Sequence, residues 1–229
     1  MNALITLATS EVSAIAKPFI ENQRAYADRW GYEFICYPQR YIDWEHLHPS
    51  FSKVPLIDRA LKADFEYIVF ADADVAFTNF QKDISDILRT RLAERPELWL
   101  AGKEQRNWIT WKYICNGLLV IRNTPDARAF MDKWIDYCLN GTPNIEPGKR
   151  VMMRDHPWEQ FPFDQLIRET QYHGAYAALS AEIGGFCPEI WTDGDEWKPG
   201  HLTMHFAGPA TFERRAQVFK EKYQPLIVY

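Results

Sequence analysis

The stretch ALITLATSEVSAIAKPFIENQRAYADRWGYEFICY, residues 3–37, decides the fold class. It begins with a short apolar run that ends in small polar residues, which is typical of a strand followed by a loop. Residues 12–30 carry apolar side chains at helical spacing, with Ser10 as the expected N-cap and Gly31 as the stop. Residues 32–37 have the composition of a second strand. Strand, helix and strand in so short a span predict a βαβ unit and therefore a parallel sheet.

The same alternation of strands and helices continues along the chain. EYIVFADADVAF, residues 66–77, reads as a buried strand that ends in two aspartates, Asp72 and Asp74. Further strands are predicted at residues 98–103, 117–123 and 201–208. Further helices are predicted at residues 54–64, 124–138, 163–172 and 211–223. Residues 140–160 have no clear period and are interpreted as a long loop that covers the site or binds an acceptor. We therefore expect one α/β domain over residues 1–229, with a mostly parallel central sheet flanked by helices.

Composition narrows the functional classes. The formal net charge is −5 and there is no long basic run, which argues against a nucleic-acid backbone as partner. No stretch approaches the roughly 20 apolar residues of a membrane span. The start of the chain, MNALITLATS, lacks the basic and long apolar regions of an export signal. The four cysteines have no CxxC spacing, which argues against a zinc site. The expectation is a cytoplasmic protein with free thiols.

Asp72 and Asp74 carry the chemistry of the predicted site. Ligands of open α/β sheets bind beyond the carboxyl ends of the strands, where these side chains are expected. Two neighbouring carboxylates repel each other, and a divalent ion such as Mg²⁺ or Mn²⁺ would relieve that repulsion. The alternative is a pair of capping or loop aspartates. A second such pair, in the sequence Asp193-Gly194-Asp195, lies in a polar segment and is interpreted as a solvated turn. Residue chemistry alone leaves a glycosyltransferase, a nucleotidyltransferase or a metal-dependent phosphatase.

Four motifs occur in an order that resembles one family. They are FADADVAF at residues 70–77, CNGLLVIRN at 115–123, FPFDQLI at 161–167 and HFAG at 205–208. Together they resemble glycosyltransferases of the GT-A fold, which is Rossmann-like and binds nucleotide-sugars. The nearest likeness is the galactosyltransferase family that contains fungal α-1,2-galactosyltransferases, α-mannosyltransferase-complex subunits and plant xyloglucan xylosyltransferases. The resemblance extends from about residue 3 to 215.

The resemblance implies an enzyme that transfers a sugar from a nucleotide-sugar to a hydroxyl of a glycan or another acceptor. A UDP-sugar is the favoured donor, GDP-mannose is possible, and retention of the anomeric configuration is expected. Asp72, Asp74 and His205 would hold Mn²⁺ or Mg²⁺, with His205 binding as a neutral imidazole. Residues 1–80 would form the nucleotide-binding half, and residues 98–215 the acceptor half with the metal-site histidine.

The donor side of the implied site consists of strand-end and loop residues: Thr9, Ser10, Lys53, Asp72, Ala73 and Gly208. Ser10 has helix capping as its alternative role. Lys53 is expected to offset diphosphate charge, as is Arg59, although surface lysines are common. Gly208 would allow the backbone to approach the diphosphate.

The reacting side of the implied site consists of Asn116, Asp164 and Gln165. A carboxylate or amide oxygen there would stabilise an oxocarbenium-like transition state. The alternative for Asp164 is to cap a helix that begins near Leu166, and the alternative for Asn116 is to satisfy a turn. Aromatic side chains just before the acceptor strand are candidates to stack on a sugar ring or to pack in the core: Trp108, Trp111 and Tyr113.

Two other functions remain as alternatives. One is a catalytically inactive subunit that binds a nucleotide-sugar or a glycan. The other is a nucleotidyltransferase, which would carry a glycine-rich phosphate loop after the first strand. The segment LATSEVSAIAKP, residues 7–18, contains no glycine, so the nucleotidyltransferase is the least favoured of these functions.

Overall fold

The computed structural model describes residues 1–40, 47–106, 112–143, 150–151, 159–191 and 195–227. The strands are β1 Ala3–Leu7, β2 Glu33–Tyr37, β3 Tyr67–Ala71, β4 Val75–Phe77, β5 Leu100–Arg106, β6 Lys112–Arg122, β7 Thr142–Pro143, β8 Arg150–Val151, β9 Tyr176–Ala178, β10 Gly184–Phe186 and β11 Thr203–His205. The α-helices are α1 Ser10–Trp30, α2 Lys53–Leu61, α3 Ile84–Glu94, α4 Pro125–Asn140, α5 Gln160–Ile167, α6 Ser180–Ile183 and α7 Phe212–Val218.

The central sheet has six strands in the order β2-β1-β3-β6-β5-β9. Strand β1 pairs in parallel with β2 and β3, while β6 runs antiparallel to its neighbours β3 and β5. The predicted βαβ unit and the mostly parallel sheet are therefore confirmed. Because β1 and β3 run in the same direction, their carboxyl ends lie at one edge of the sheet. That edge is where Asp72 follows β3.

The helix of the βαβ unit ends at the predicted residue, but its N-cap lies one residue earlier than predicted. Gly31 adopts the left-handed conformation with φ of 69°, which explains the stop. The N-cap is Thr9 rather than Ser10, and its side chain makes no capping hydrogen bond. Ser10 is the first helical residue, so its predicted capping role is wrong.

The strand predicted in residues 66–77 ends at the aspartates, as expected, and a second strand that was not predicted follows them in a different sheet. Strand β3 ends at Ala71, a turn follows in which the N–H of Val75 donates to the carbonyl of Asp72 at 3.0 Å, and β4 begins. Strand β4 belongs to a second sheet of three strands in the order β10-β11-β4. The aspartates thus occupy the turn between two sheets.

Two buried clusters of apolar side chains cover the two faces of the central sheet. Along β3 the side chains of Tyr67 and Val69 enter one cluster, and those of Ile68 and Phe70 enter the other. This alternation is the period of two expected for a strand that is covered on both sides. The sheet edge beyond β3 is therefore held on a rigid layer.

Several predicted elements differ at their ends. Thr124 caps α4 by accepting a hydrogen bond from the N–H of Ala127. Helix α5 begins at Gln160, so Asp164 lies inside it and does not cap it. In the predicted loop 140–160, β7 and β8 form an antiparallel pair, and residues 144–149 and 152–158 lie outside the described residues. The predicted helix at the C-terminal end continues from α7 into a π-helical turn, Phe219–Tyr223.

The four cysteines are free thiols. Among the described residues, no helix combines the length and the apolarity that crossing a membrane requires.

Candidate active site

The turn between the two sheets brings together Asp72, Asp74 and His205. Strand β11 pairs antiparallel with β4, so His205 lies opposite Val75, directly after the aspartates. The N–H of Phe206 also donates to the carbonyl of Asp74 at 2.9 Å. One side-chain ligand atom from each of the three residues lies within 4.8 Å of the others. The long-range strand pairing, rather than the local sequence, assembles this cluster.

The imidazole of His205 has a fixed orientation. Its Nε2 lies 3.1 Å from Oδ1 of Asp74, and its Nδ1 lies 3.7 Å from Sγ of Cys115. The ring of Phe186 stacks on it with centroids 5.4 Å apart. An imidazole that binds a cation through Nε2 carries its proton on Nδ1, where Cys115 can accept it. The histidine therefore faces the aspartates with the nitrogen that a metal would use.

A glycine forms the floor under the cluster. A Cβ atom at Gly117 would lie 2.4 Å from Cε1 of His205 and 2.7 Å from Oδ2 of Asp72. Gly117 belongs to a bulge, since Gly102 of β5 pairs with Leu119 whereas Lys103 pairs with Cys115. The N–H of Asp72 donates to the carbonyl of Gly117 at 2.8 Å. The bulge thus lets β6 approach both metal-ligand candidates closely.

Gly117→Ala is expected to displace His205 or Asp72, because the added methyl group has no room. Overpacking of this kind costs about 1–3 kcal/mol of folding free energy and weakens any metal held there. Thermal unfolding and Mn²⁺ titration would measure both effects. The matched control is Gly174→Ala, whose Cβ would first meet Cγ of Glu97, on a flexible side chain, at 3.2 Å. Metal binding of wild-type strength in Gly117→Ala would contradict the close approach.

Lys53 is a buried cation between two carboxylates. Its side chain is 3% exposed, and its Nζ lies 2.8 Å from Oδ1 of Asp72 and 2.6 Å from Oε1 of Glu159. The same Nζ lies 3.5 Å from Oδ1 of Asn116. Burial alone would lower the pKa of Lys53, but Asp72 and Glu159 together raise it. Lys53 is therefore charged and holds α2, the turn and the start of α5 together.

The two carboxylates respond differently to this environment. Burial raises the pKa of Asp72, the Lys53 ammonium opposes that effect, and the nearby Asp74 adds to it. The Asp72 side chain is still 29% exposed, so water moderates the shift. Burial would also raise the pKa of Glu159, but its ion pair with Lys53 lowers the pKa overall. A bound cation would therefore stabilise the charged form of Asp72 more than that of Glu159.

Arg215 of α7 contacts the other aspartate. Its Nη1 lies 2.5 Å from Oδ2 of Asp74, its Nε donates to the carbonyl of Ala210 at 2.9 Å, and Nη2 donates to the carbonyl of Gly208. The guanidinium therefore ties Asp74 to the loop that follows β11.

The backbone of the aspartate turn is held by α1. Nε2 of Gln23 donates to the carbonyls of Asp72 and Val75, both at 2.9 Å. Asn22 pairs with the backbone of Phe77, accepting from its N–H at 2.7 Å and donating to its carbonyl at 2.9 Å. Both side chains are buried. Two amides on the inner face of α1 thus fix the turn and β4.

A second hydrogen-bond network lies on β6, the strand predicted to contact the acceptor. The N–H of Asn116 donates to Oε1 of Gln160 at 2.8 Å, and Nε2 of Gln160 donates to the carbonyl of Ile114 at 2.8 Å. The same Nε2 donates to Oδ1 of Asp164 at 2.7 Å. Burial raises the pKa of Asp164 to about 8, with the Gln160 hydrogen bond opposing. Gln165 is half-buried on the same helix.

Asp164→Asn is expected to change how stability depends on pH. The folded chain keeps a proton on Asp164 between its ordinary pKa of 3.8 and about 8, whereas the unfolded chain has released it. Stability therefore falls with rising pH in this window, by at most about 1.4 kcal/mol per unit. The variant removes this contribution while keeping the shape and an oxygen acceptor for Gln160. Urea unfolding at about pH 5 and about pH 7 measures it. Identical pH slopes for the two proteins would refute the raised pKa.

Of the other residues predicted for the donor side, some lie beside the aspartate turn and one does not. Ala73 packs with Ala8 and Ala16, which brings the β1–α1 loop, with Thr9 and Ser10, beside the aspartate turn. Arg59 is exposed on α2, and no contact with the aspartates is seen among the described residues.

Gly208 lies in the loop that follows β11 and has a φ of 127°. A Cβ there would lie 2.8 Å from Cε3 of Trp191 and 2.9 Å from the carbonyl of Ile190. Glycine is therefore required at this position for the backbone conformation and for packing.

Part of the predicted acceptor side and the second Asp-Gly-Asp lie outside the described residues. These are Trp108, Trp111, the side chain of Tyr113, Asp193 and Gly194.

Sequence reasoning missed four residues that hold the site: Gln23, Glu159, Gln160 and Arg215. A signal was present for Gln23, because it is a polar residue that interrupts the helical spacing of apolar side chains in α1. Glu159 and Gln160 fell in a stretch interpreted as loop. Arg215 reaches the site only through tertiary packing of α7.

Comparison with known proteins is consistent with this geometry. The model of the galactosyl transferase GMA12/MNN10 family matches residues 4–95. The comparison with curated proteins gave no match. Among solved structures, a glycosyltransferase involved in glycosylation of the major capsid of PBCV-1 is 17% identical with a TM-score of 0.65, over 95% of this chain and 98% of that one.

Two further structures have the same fold. Mouse xyloside xylosyltransferase 1 is 9% identical with a TM-score of 0.52, over 90% of this chain and 97% of that one. The galactosyltransferase LgtC, solved with donor and acceptor sugar analogues, is 13% identical with a TM-score of 0.51, over 99% of this chain and 100% of that one. The predicted GT-A fold is thereby confirmed. The chain has the GT-A fold of these glycosyltransferases and is similar over residues 4–95 to the galactosyl transferase GMA12/MNN10 family.

Proposed function

We propose that the protein transfers a hexosyl or pentosyl group from a nucleotide-sugar to a hydroxyl of a glycan or other acceptor, with a divalent metal ion. A UDP-sugar is the favoured donor and GDP-mannose the alternative. The observation that carries the proposal is the convergence of Asp72, Asp74 and His205, whose ligand atoms lie within 4.8 Å of one another at the edge of the sheet. Retention of the anomeric configuration follows from the resemblance in the four motifs.

The residues present fit a divalent ion. Two carboxylates and an imidazole suit Mn²⁺ or Mg²⁺, and glycine at position 117 avoids a side chain that would collide with two of them. Asp72, Asp74 and His205 would hold the ion. When bound, it supplies positive charge that stabilises the diphosphate leaving group.

The donor is proposed to bind along residues 1–80. The β1–α1 loop with Thr9 and Ser10 packs beside Ala73, which supports a nucleoside position there. Lys53 keeps Asp72 in place through its ion pair of 2.8 Å. Gly208 is linked to Asp74 through Arg215, whose guanidinium contacts both.

The acceptor is proposed to bind along residues 98–215. Asn116 is buried, and its Nδ2 has no hydrogen-bond partner among the described residues, so it is available to a sugar hydroxyl. Gln165 is assigned to the reacting face of the sugar. Asp164, with its raised pKa, would be protonated near neutral pH and able to donate a hydrogen bond there.

Calorimetric titration of the protein with UDP, GDP and their sugars, with Mn²⁺ or with EDTA, tests the donor site. Binding of one nucleotide that requires Mn²⁺ is the expected result. If no nucleotide binds in the presence of Mn²⁺, the proposal is wrong. Binding without sugar transfer to any acceptor tested would favour the inactive-subunit alternative. When transfer occurs, NMR of the fresh product gives the anomeric configuration.

A further inference from the structure

The two oxygens of Asp74 have different partners. Oδ1 lies 3.1 Å from Nε2 of His205, on the side of the metal-ligand cluster. Oδ2 lies 2.5 Å from Nη1 of Arg215. The Asp74 side chain is 6% exposed and that of Arg215 is 15% exposed, so water screens this ion pair only weakly. A cation of the chain itself therefore already neutralises one of the proposed metal ligands.

The other aspartate is neutralised in the same way. Lys53 lies 2.8 Å from Oδ1 and 3.1 Å from Oδ2 of Asp72, and it also pairs with Glu159. Among the described residues, these ion pairs join three carboxylates to two side-chain cations, and their formal charges sum to one unit of negative charge. A divalent ion alone would turn this into excess positive charge in a largely buried site, and such charge is costly. A nucleotide diphosphate supplies the missing negative charge.

We propose that Arg215 is a positioning residue that makes metal binding depend on the nucleotide. Its guanidinium balances Asp74, so that the cluster retains a divalent ion firmly only when a diphosphate is present. This inference rests on the proposed function, because it assigns the metal to Asp72, Asp74 and His205. Arg215 acts through Asp74 and through the carbonyls of Gly208 and Ala210, which it also binds.

Substitution of Arg215 tests the charge balance more cleanly than substitution of Lys53. Removing Lys53 would leave two carboxylates, Asp72 and Glu159, without their ion-pair partner. Removing Arg215 would do this to Asp74 alone among the ion pairs described. The neighbouring Arg214 offers a matched control, since it is exposed on the same helix and contacts Gln217. Arg215→Met removes the charge while keeping an unbranched side chain, and Arg215→Lys keeps the charge.

The test measures Mn²⁺ binding by electron paramagnetic resonance, with and without UDP. Wild type and Arg214→Met are expected to bind Mn²⁺ weakly alone and at least about tenfold more tightly with UDP. Arg215→Met is expected to bind Mn²⁺ alone at least about tenfold more tightly than wild type and to lose most of the UDP effect. Arg215→Lys should restore the wild-type pattern. If Arg215→Met does not fold, Arg215→Gln provides the same loss of charge.

The possible results distinguish failure of the inference about Arg215 from failure of the proposed function. A merely structural role for Arg215 would weaken Mn²⁺ binding in Arg215→Met, and that result overturns the inference. Tight, UDP-independent Mn²⁺ binding by wild type also overturns it. If wild type shows no joint binding of Mn²⁺ and UDP, the proposed function fails. Tighter binding of Mn²⁺ alone by Arg215→Met would still support the electrostatic role of Arg215 in that case.

Discussion

Asp74→Asn is expected to abolish metal-dependent nucleotide binding, with the Kd rising at least about a hundredfold. Even groups that only orient a metal ligand contribute about 10- to 100-fold to metal affinity, and Asp74 is itself a proposed ligand. The substitution removes the negative charge that faces His205 at 3.1 Å and Arg215 at 2.5 Å. Asparagine has nearly the same shape, so the loss is one of charge rather than of packing. Calorimetry with Mn²⁺ and the preferred nucleotide measures it.

Asp64→Asn is the matched control for this experiment. Asp64 is exposed and lies just before β3, at the other end of the strand that carries the aspartate turn. Its substitution should leave nucleotide binding unchanged. Circular dichroism and thermal unfolding establish that Asp74→Asn is folded. A folded Asp74→Asn protein that binds the nucleotide as tightly as wild type would remove Asp74 from the metal site.

Lys53→Met is expected to lower the free energy of unfolding by about 3–5 kcal/mol, since breaking a buried ion pair strands a charge. The lysine is the shared partner of Asp72 and Glu159, and the Glu159 side chain is 5% exposed. Methionine fills a similar volume, so little of the effect comes from a cavity. Urea unfolding monitored by tryptophan fluorescence gives the value.

Two further variants identify the cause of this loss. Lys53→Met combined with Glu159→Gln should recover part of the stability, because the second substitution removes one stranded charge. Lys62→Met serves as the control, since Lys62 is exposed on the surface and its ion pair with Asp58 contributes at most about 1 kcal/mol. A double variant no more stable than Lys53→Met would show that the Lys53–Glu159 pair is not the source.

The elements that sequence reasoning predicted well are those whose signals are local. The unit β1-α1-β2 follows from periodicity and from Gly31, all within a single short segment. Strand β4 was not predicted, because its three residues carry no pattern that separates a strand from a loop. It arises from pairing with β11, and the paired residues Val75 and His205 are far apart in the sequence.

The same distinction applies to the candidate site. Asp72, Asp74 and His205 were predicted as a cluster from strand ends and from the resemblance, and the structure brings them together. Glu159 and Arg215 were missed because their partners are defined only by the packing of α5 and α7. The capping interpretation of Asp164 failed because the helix begins at Gln160 rather than near Leu166.

The pairing of β4 with β11 also bears on when the site comes into being. Contacts between residues so distant along the chain require closing a long loop, and such contacts slow folding. A ribosome delivers the aspartate turn well before it delivers Thr203–His205, the strand that completes the cluster. Until that strand docks, the emerging polypeptide holds the two carboxylates without their histidine. The proposed ability to bind an ion would therefore be acquired late in folding, when β11 docks.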